Sequence, residues 1–177
     1  ADRALAGKLD RPLGRFIYPP SPFTPEQEAA NRKNLQRTEV AQPAVGACDL
    51  AMTRLLAAVG VEPDVLAGHS YGEYAALAAA GALSADDLIH LSHRRGEVIR
   101  DAAAAAGGGL VAADADLPAV ERALAGVADV WPANQNSPQQ TVIAGTDKGL
   151  TAALEKLKAS GVRAQRIPVA CGFHSPL

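Results

Sequence analysis

The stretch Gly68-His69-Ser70-Tyr71-Gly72 restricts the fold of this chain more than any other. A G-x-S-x-G pattern alone is common by chance, and its neighbours decide its meaning. Residues 61–67 read as a short buried strand ending at Gly68, and the pattern turns helical from Tyr74 to Ala80 before Gly81 closes it. A serine between strand and helix occupies a tight, strained turn that exposes its hydroxyl, with glycines on either side leaving room for close packing. The helix that follows directs its N–H groups and partial positive charge at an oxygen that develops negative charge. Ser70 is therefore a candidate nucleophile, and the Tyr71 backbone N–H a candidate oxyanion donor.

A serine hydroxyl needs a base, and the chain offers His69, His90, His93 and His174. Neighbours in a tight turn point apart, so the expected task of His69 is a structural hydrogen bond. His90 and His93 lie three apart on a helix, a spacing that could hold a metal. With no third ligand nearby the pair reads as a solvated polar face, and no metal site is expected. His174 follows a predicted strand, in a Cys-Gly-Phe-His-Ser-Pro turn fixed by Gly172 and Pro176, which makes it the candidate base.

Elsewhere the pattern predicts alternating elements. Residues 1–9 have helical composition, and the prolines at 12, 19, 20, 22 and 25 make 11–25 a surface loop. Thr24-Pro25-Glu26 reads as the cap and first turn of a helix over 25–35. A second helix covers 42–59, with Val45, Cys48, Met52, Leu55 and Leu56 at helical spacing and Gly60 as its stop. Ser84-Ala85-Asp86-Asp87 is a capping-box variant opening a helix to residue 106. After Gly107-Gly108-Gly109 come strand 110–113, helix 117–125, strands 127–132 and 141–144 around a polar loop, helix 150–159 and strand 162–169. That β-α-β-β-α-β order is ferredoxin-like.

The expected fold is thus α/β. Residues 1–107 form part of an incomplete α/β-hydrolase-like large subdomain carrying the elbow, 108–169 an inserted ferredoxin-like small subdomain, and 170–177 the return to the large one with His174. The chain opens on what reads as mid-helix and stops without a terminal element, so it reads as a piece of a longer domain.

Composition excludes several classes. At 48% hydrophobic and 20% charged the chain is too apolar for a disordered tail, and 4% aromatic favours an Ala/Leu/Val core over an aromatic-rich sandwich. A net charge of −2 without a basic stripe argues against nucleic acid. The N-terminus lacks an apolar secretory core, and the apolar run near 75–83 is too short to span a bilayer, so a cytoplasmic location without a membrane partner is expected. Cys48 and Cys171, far apart, read as ordinary reduced thiols.

Further motifs appear in order: Gln42-Pro43-Ala44, the elbow through Glu73, Ala80-Gly81-Ala82-Leu83-Ser84, Arg95-Gly96, Asn136-Ser137-Pro138 and Phe173-His174-Ser175-Pro176-Leu177. From about Pro12 to Leu177 the chain resembles the malonyl-CoA:acyl-carrier-protein acyltransferases, including the acyltransferase domains of type I polyketide synthases. Thr38-Glu39-Val40-Ala41-Gln42-Pro43 and Tyr71 are most similar to the iterative enediyne and polyunsaturated fatty acid synthases.

The resemblance implies that Ser70, deprotonated by His174, takes malonyl from malonyl-CoA as an ester and passes it to the phosphopantetheine thiol of an acyl carrier protein. No bound cofactor is implied, and the partners are that carrier and neighbouring synthase domains in cis. It implies that Arg95 pairs with the free malonyl carboxylate, for which a planar guanidinium fork is suited. Arg94 is the register alternative; it points about 100° away on a helix, so only one of the two faces the site. Gln42 and Asn136 are implied pocket residues, with local capping the alternative for each, and His69 and Phe173 join them as substrate-binding positions. In Cys171-Gly172-Phe173-His174, Phe173 is nearer the malonyl than the methylmalonyl form, whereas Cys171 and Gly172 fit neither. The family's Gly-Gln-Gly segment, whose glutamine helps form the oxyanion hole, has no counterpart here, nor do the elements after the FHSP motif.

Two other readings compete. An α/β-hydrolase-type thioesterase would share the elbow but needs an acidic triad member; Asp114, Asp116, Asp129 and Asp147 all fall in the predicted small subdomain. A catalytically idle structural piece of a megasynthase would keep the same residues without turnover.

Overall fold

Proline placement sets the first elements of the computed structural model, which describes residues 1–169 and 171–177, with Ala106 described by its backbone alone. Pro12 and Pro19 bracket one helical turn, α1 (Gly14–Ile17), with Leu13 and Phe16 buried. The bare loop expected over 11–25 is corrected here, because Pro12 lacks only its own N–H and its carbonyl still accepts the Arg15 N–H at 2.9 Å. Residues 1–9 wind through turns in place of the expected helix, with Gly7 at φ +75° breaking the run.

α2 (Pro25–Gln36) starts as its sequence implies, Thr24 Oγ1 accepting the Gln27 N–H at 3.3 Å. α3 (Thr38–Ala58) begins before the expected residue 42, since Pro43 does not stop it. A proline cannot donate to the carbonyl four residues back; His93 Nδ1 lies 3.0 Å from that Glu39 oxygen and supplies the donor. Then come α4 (Gly72–Ala79) and α5 (Ala85–Ala106). Ser84 Oγ caps α5, accepting the Asp87 N–H at 3.0 Å and donating to Asp87 Oδ2 at 2.6 Å. α5 meets α3 at Gly96, where a Cβ would lie 2.4 Å from the Thr38 carbonyl oxygen.

The chain divides into two compact units, 1–100 and 101–177, the division falling inside α5 and before the glycine run at 107–109. Among its described residues the first unit is helical. The strand expected at 61–67 is not formed: the segment has no ladder partner there, and Val61, Val65 and Leu66 are exposed. Val45, Met52, Leu55 and Leu56 on α3 are exposed too. The helix instead buries Val40 and Ala44 against Leu5, Leu13, Phe16 and Ile89.

The second unit contains β1 (Gly109–Ala113), α6 (Leu117–Ala123), β2 (Val130–Ser137), β3 (Gln140–Gly145), α7 (Asp147–Ala159) and β4 (Ala164–Ile167). The strands pair antiparallel in the order β2-β3-β1-β4. Alternation turns Val111, Ala113 and Ile143 to one face, packed with Val120, Leu150, Ala153 and Leu157 of the two helices. Leu110, Val142 and Ala144 cluster with Ala133, Ile167 and Phe173. The polar loop expected between the middle strands is mostly strand, with register shifts between Pro132 and Asn134 and between Gln135 and Ser137.

Residues 171–177, from the expected return at 170–177, cluster with this second unit. Phe173 holds them to the sheet, and a Cβ on Gly108 would fall 2.7 Å from Leu177 Cδ1. Ala170, where that return was expected to begin, lies outside the described residues. No helix among the described residues is long and apolar enough to cross a membrane.

Candidate active site

Ser70 has φ +53°, a left-handed value uncommon for a residue with a Cβ. Gly68 makes the turn possible: a Cβ there would lie 2.2 Å from the Gly72 carbonyl carbon and 2.3 Å from the Glu73 nitrogen. At Gly72 a Cβ would meet nothing within 4 Å, so the close packing expected of both glycines belongs to Gly68 alone. The turn runs directly into α4, the His69 carbonyl accepting the Gly72 N–H at 2.9 Å and the Ser70 carbonyl the Glu73 N–H at 3.3 Å. Gly68→Ala is therefore expected to cost more than about 3 kcal/mol, because backbone on both sides must move. Gly72→Ala should melt close to the parent, and differential scanning calorimetry of the pair checks the contrast.

His69 is exposed, and among the described residues its ring makes no hydrogen bond. The structural bond expected of it is absent, since water can satisfy a ring at that position. Tyr71 buries its phenol instead, with the hydroxyl 2.6 Å from Ser92 Oγ. Ser92 Oγ donates to the Leu88 carbonyl at 2.6 Å, which only accepts, so Tyr71 is the donor to Ser92. Gly46 on α3 leaves the space, since a Cβ there would lie 2.2 Å from the Tyr71 hydroxyl. Burial pushes the Tyr71 phenol above its ordinary pKa; the Ser92 bond and the Arg95 charge pull it down, and the Asp49 charge pushes it up.

Arg95 and Arg94 diverge on α5. Arg95 Nη1 donates to Gln42 Oε1 at 2.7 Å, and its guanidinium lies 5.5 Å from the Tyr74 ring centroid. Arg94 is exposed and pairs with Glu97 at 3.1 Å. Arg95 and Gln42 thus meet through side chains beside Tyr74, whereas Ser92 and Gly46 meet Tyr71; no motif in the sequence marks Tyr74, Ser92 or Gly46. The available signal was spacing, with Ser92 and Arg95 one turn apart on one helix and Gln42 and Gly46 one turn apart on another.

The solvated face expected of His90 and His93 is corrected as well. His93 is 4% exposed, bonded to the Glu39 carbonyl, with Nε2 3.7 Å from Glu97; His90 Nδ1 is buried with no hydrogen-bond partner among the described residues. Among the described residues no three His, Cys, Asp or Glu groups are placed to hold a metal.

Asp49, one turn beyond Gly46 on α3, has its carboxyl held above the ordinary value by burial. The folded form therefore binds this proton more tightly than the unfolded chain, so stability falls as pH rises between the unfolded and folded pKa values. Asp49→Asn is expected to raise Tm at neutral pH, with the gain vanishing below the ordinary value of 3.8, where both states hold the proton. Thermal melts of both proteins across that range read the effect.

In the second unit His174 is exposed, at φ +56°. Its turn is stapled by Ser175 Oγ, which donates to the Gly172 carbonyl at 2.6 Å and accepts the Leu177 N–H at 3.2 Å. Ser70, Asp129 and His174 are the non-glycine residues at positive φ among the described residues, so candidate nucleophile and candidate base both sit on strained backbone. Phe173 packs on the sheet. Asn136, exposed at the end of β2, donates to Gln140 Oε1 at 3.1 Å. Of the acids a hydrolase could recruit, Asp114 and Asp147 pair with Arg163 and Arg166, each at 2.7 Å. Asp116 caps α6 through the Ala119 N–H at 2.8 Å.

The family model described as the acyl transferase domain matches residues 23–177. The chain is 38% identical over 168 residues to a polyunsaturated fatty acid synthase polypeptide of Thraustochytrium, covering 93% of this chain and 6% of that protein. It is 39% identical over 151 residues to malonyl CoA-acyl carrier protein transacylase of Bacillus subtilis, covering 82% of this chain and 48% of that protein. Among solved structures, the acyltransferase domain of the iterative polyketide synthase in enediyne biosynthesis aligns with a TM-score of 0.71 at 40% identity, covering 79% of this chain and 37% of that one. The chain spans less than half the length of each of these relatives.

Proposed function

This chain belongs to the acyl transferase domain family, and from that premise we propose that it carries the nucleophile and the base of a malonyl transfer from CoA to an acyl carrier protein. The observation that carries the reading is the elbow, with Ser70 at φ +53° over a Gly68 that tolerates no side chain. Ser70 Oγ attacks the malonyl thioester carbonyl while His174 takes its proton. The Tyr71 N–H, at the start of α4, receives the developing oxyanion. The C–S bond breaks, His174 returns the proton to the CoA thiolate, and malonyl remains as a serine ester. A phosphopantetheine thiol then reverses the steps, losing its proton to His174 as its sulfur attacks the ester, and Ser70 regains the proton. No bound cofactor takes part.

Arg95, braced by Gln42, reads the free carboxylate, and His69, Asn136 and Phe173 border the acyl group. Phe173 favours malonyl over methylmalonyl. In this reading residues 1–107 are part of an α/β-hydrolase-like subdomain, and 108–169 are a ferredoxin-like insertion, supported by the sheet order β2-β3-β1-β4. Residues 170–177 serve the nucleophile's subdomain by delivering His174. The carrier protein and the neighbouring synthase domains are the partners, in the cytoplasm.

Intact mass after brief exposure to malonyl-CoA, with and without a carrier-protein thiol, tests this. A malonyl adduct that the carrier clears supports transfer. CoA release to water without a carrier requirement overturns it in favour of a hydrolase, and no release at all in favour of an idle structural role.

A further inference from the structure

Tyr71 ties the nucleophile turn to two helices at once. Its hydroxyl donates to Ser92 Oγ on α5 at 2.6 Å and occupies the space that a Cβ on Gly46 of α3 would fill. One turn from Ser92 stands Arg95, and one turn from Gly46 stands Gln42; these two side chains meet at 2.7 Å. The residue beside Ser70 is therefore fastened to the same two helices that present the Arg95–Gln42 pair.

We propose that the Tyr71 hydroxyl, seated on Gly46 and received by Ser92, is a positioning device that sets the register between Ser70 and the Arg95–Gln42 pair, and so favours acyl groups bearing a free carboxylate. The proposal rests on the acyl-transfer reading above. A carboxylated acyl group is held at both ends, its carbonyl at Ser70 and its carboxylate at Arg95, so it reacts well only when the two ends are in register. An uncharged acyl group is held at one end and tolerates a shift. Moving the turn relative to α3 and α5 thus penalises malonyl selectively, whereas a general loss of folded protein lowers both rates together.

The hydroxyl can be removed without breaking the surroundings. In Tyr71→Phe the ring still fills its slot and Ser92 keeps its bond to the Leu88 carbonyl. Gly46→Ala attacks the same device from the other side by pushing its Cβ onto the hydroxyl. In the Tyr71→Phe background that Cβ faces the ring carbon at 3.4 Å, an ordinary contact. The test uses the protein carrying this chain and compares initial rates of Ser70 acylation from malonyl-CoA and acetyl-CoA.

Tyr71→Phe is expected to lower the malonyl-to-acetyl ratio about tenfold, since small misplacements cost that much or more and only the carboxylated group is held at both ends. Gly46→Ala should lower the ratio as well, and the double variant should match Tyr71→Phe alone because the obstructed atom is gone. An unchanged ratio in Tyr71→Phe, or effects of the two substitutions that simply add, overturns the positioning role. A parent protein that shows no Ser70-dependent malonyl adduct overturns the acyl-transfer reading, and this proposal with it, before any variant is compared.

Discussion

Ser70→Ala is expected to erase the malonyl adduct and to slow CoA release at least about 10³-fold, since loss of a nucleophile removes the covalent path and leaves only the binding and oxyanion contributions. The substitution should leave the fold intact. Alanine keeps a Cβ at a position already held at φ +53° by the closure of Gly68 on Gly72 and Glu73, so the backbone strain is unchanged. Equal melting temperatures of parent and variant, alongside intact mass spectra, separate lost chemistry from lost structure. An adduct that persists in Ser70→Ala would place the nucleophile elsewhere and remove the basis of the proposed function.

The elbow was legible because everything that makes it lies within a few neighbouring residues: a glycine that must admit backbone, a serine, and a helix that starts at once. The caps of α2 and α5 were legible for the same reason, each being a bond between residues three apart. What escaped was settled by residues far away in sequence. Pro43 reads as a helix boundary until His93, whose ring bonds a carbonyl 54 positions earlier, supplies the donor that the proline lacks. The same contact explains why His93 is buried when its spacing from His90 suggests a wet face. Residues 61–67 have strand composition, but a strand is a pairing, and no described residue pairs with them. Tyr71 and Ser92 are 21 positions apart and met only once α3, α4 and α5 were in place. Arg95 was picked out by its resemblance to a family position; what the fold adds is its partner, since Gln42 lies 53 residues away.

That partnership frames the second large effect. Arg95→Ala is expected to lower acylation from malonyl-CoA about 10²-fold, because hydrogen bonds to a charged group contribute about 1.5–3 kcal/mol each and a bidentate guanidinium can offer two. Acetyl-CoA has no carboxylate to lose, so its rate should hold or rise, and the two substrates should converge. Arg95→Lys keeps the charge but not the planar fork, and a flexible ammonium cannot reproduce two parallel bonds while also holding Gln42; it should recover only a small part of the loss. Gln42→Leu should fall between parent and Arg95→Ala, since it removes the 2.7 Å brace while leaving the guanidinium over Tyr74. Competition between malonyl-CoA and acetyl-CoA, read as the ratio of the two adducts on Ser70, measures all four proteins under one condition. Equal losses for both substrates in Arg95→Ala would assign the residue to the packing of α3 against α5 instead of to the carboxylate, because a packing defect cannot tell the two acyl groups apart.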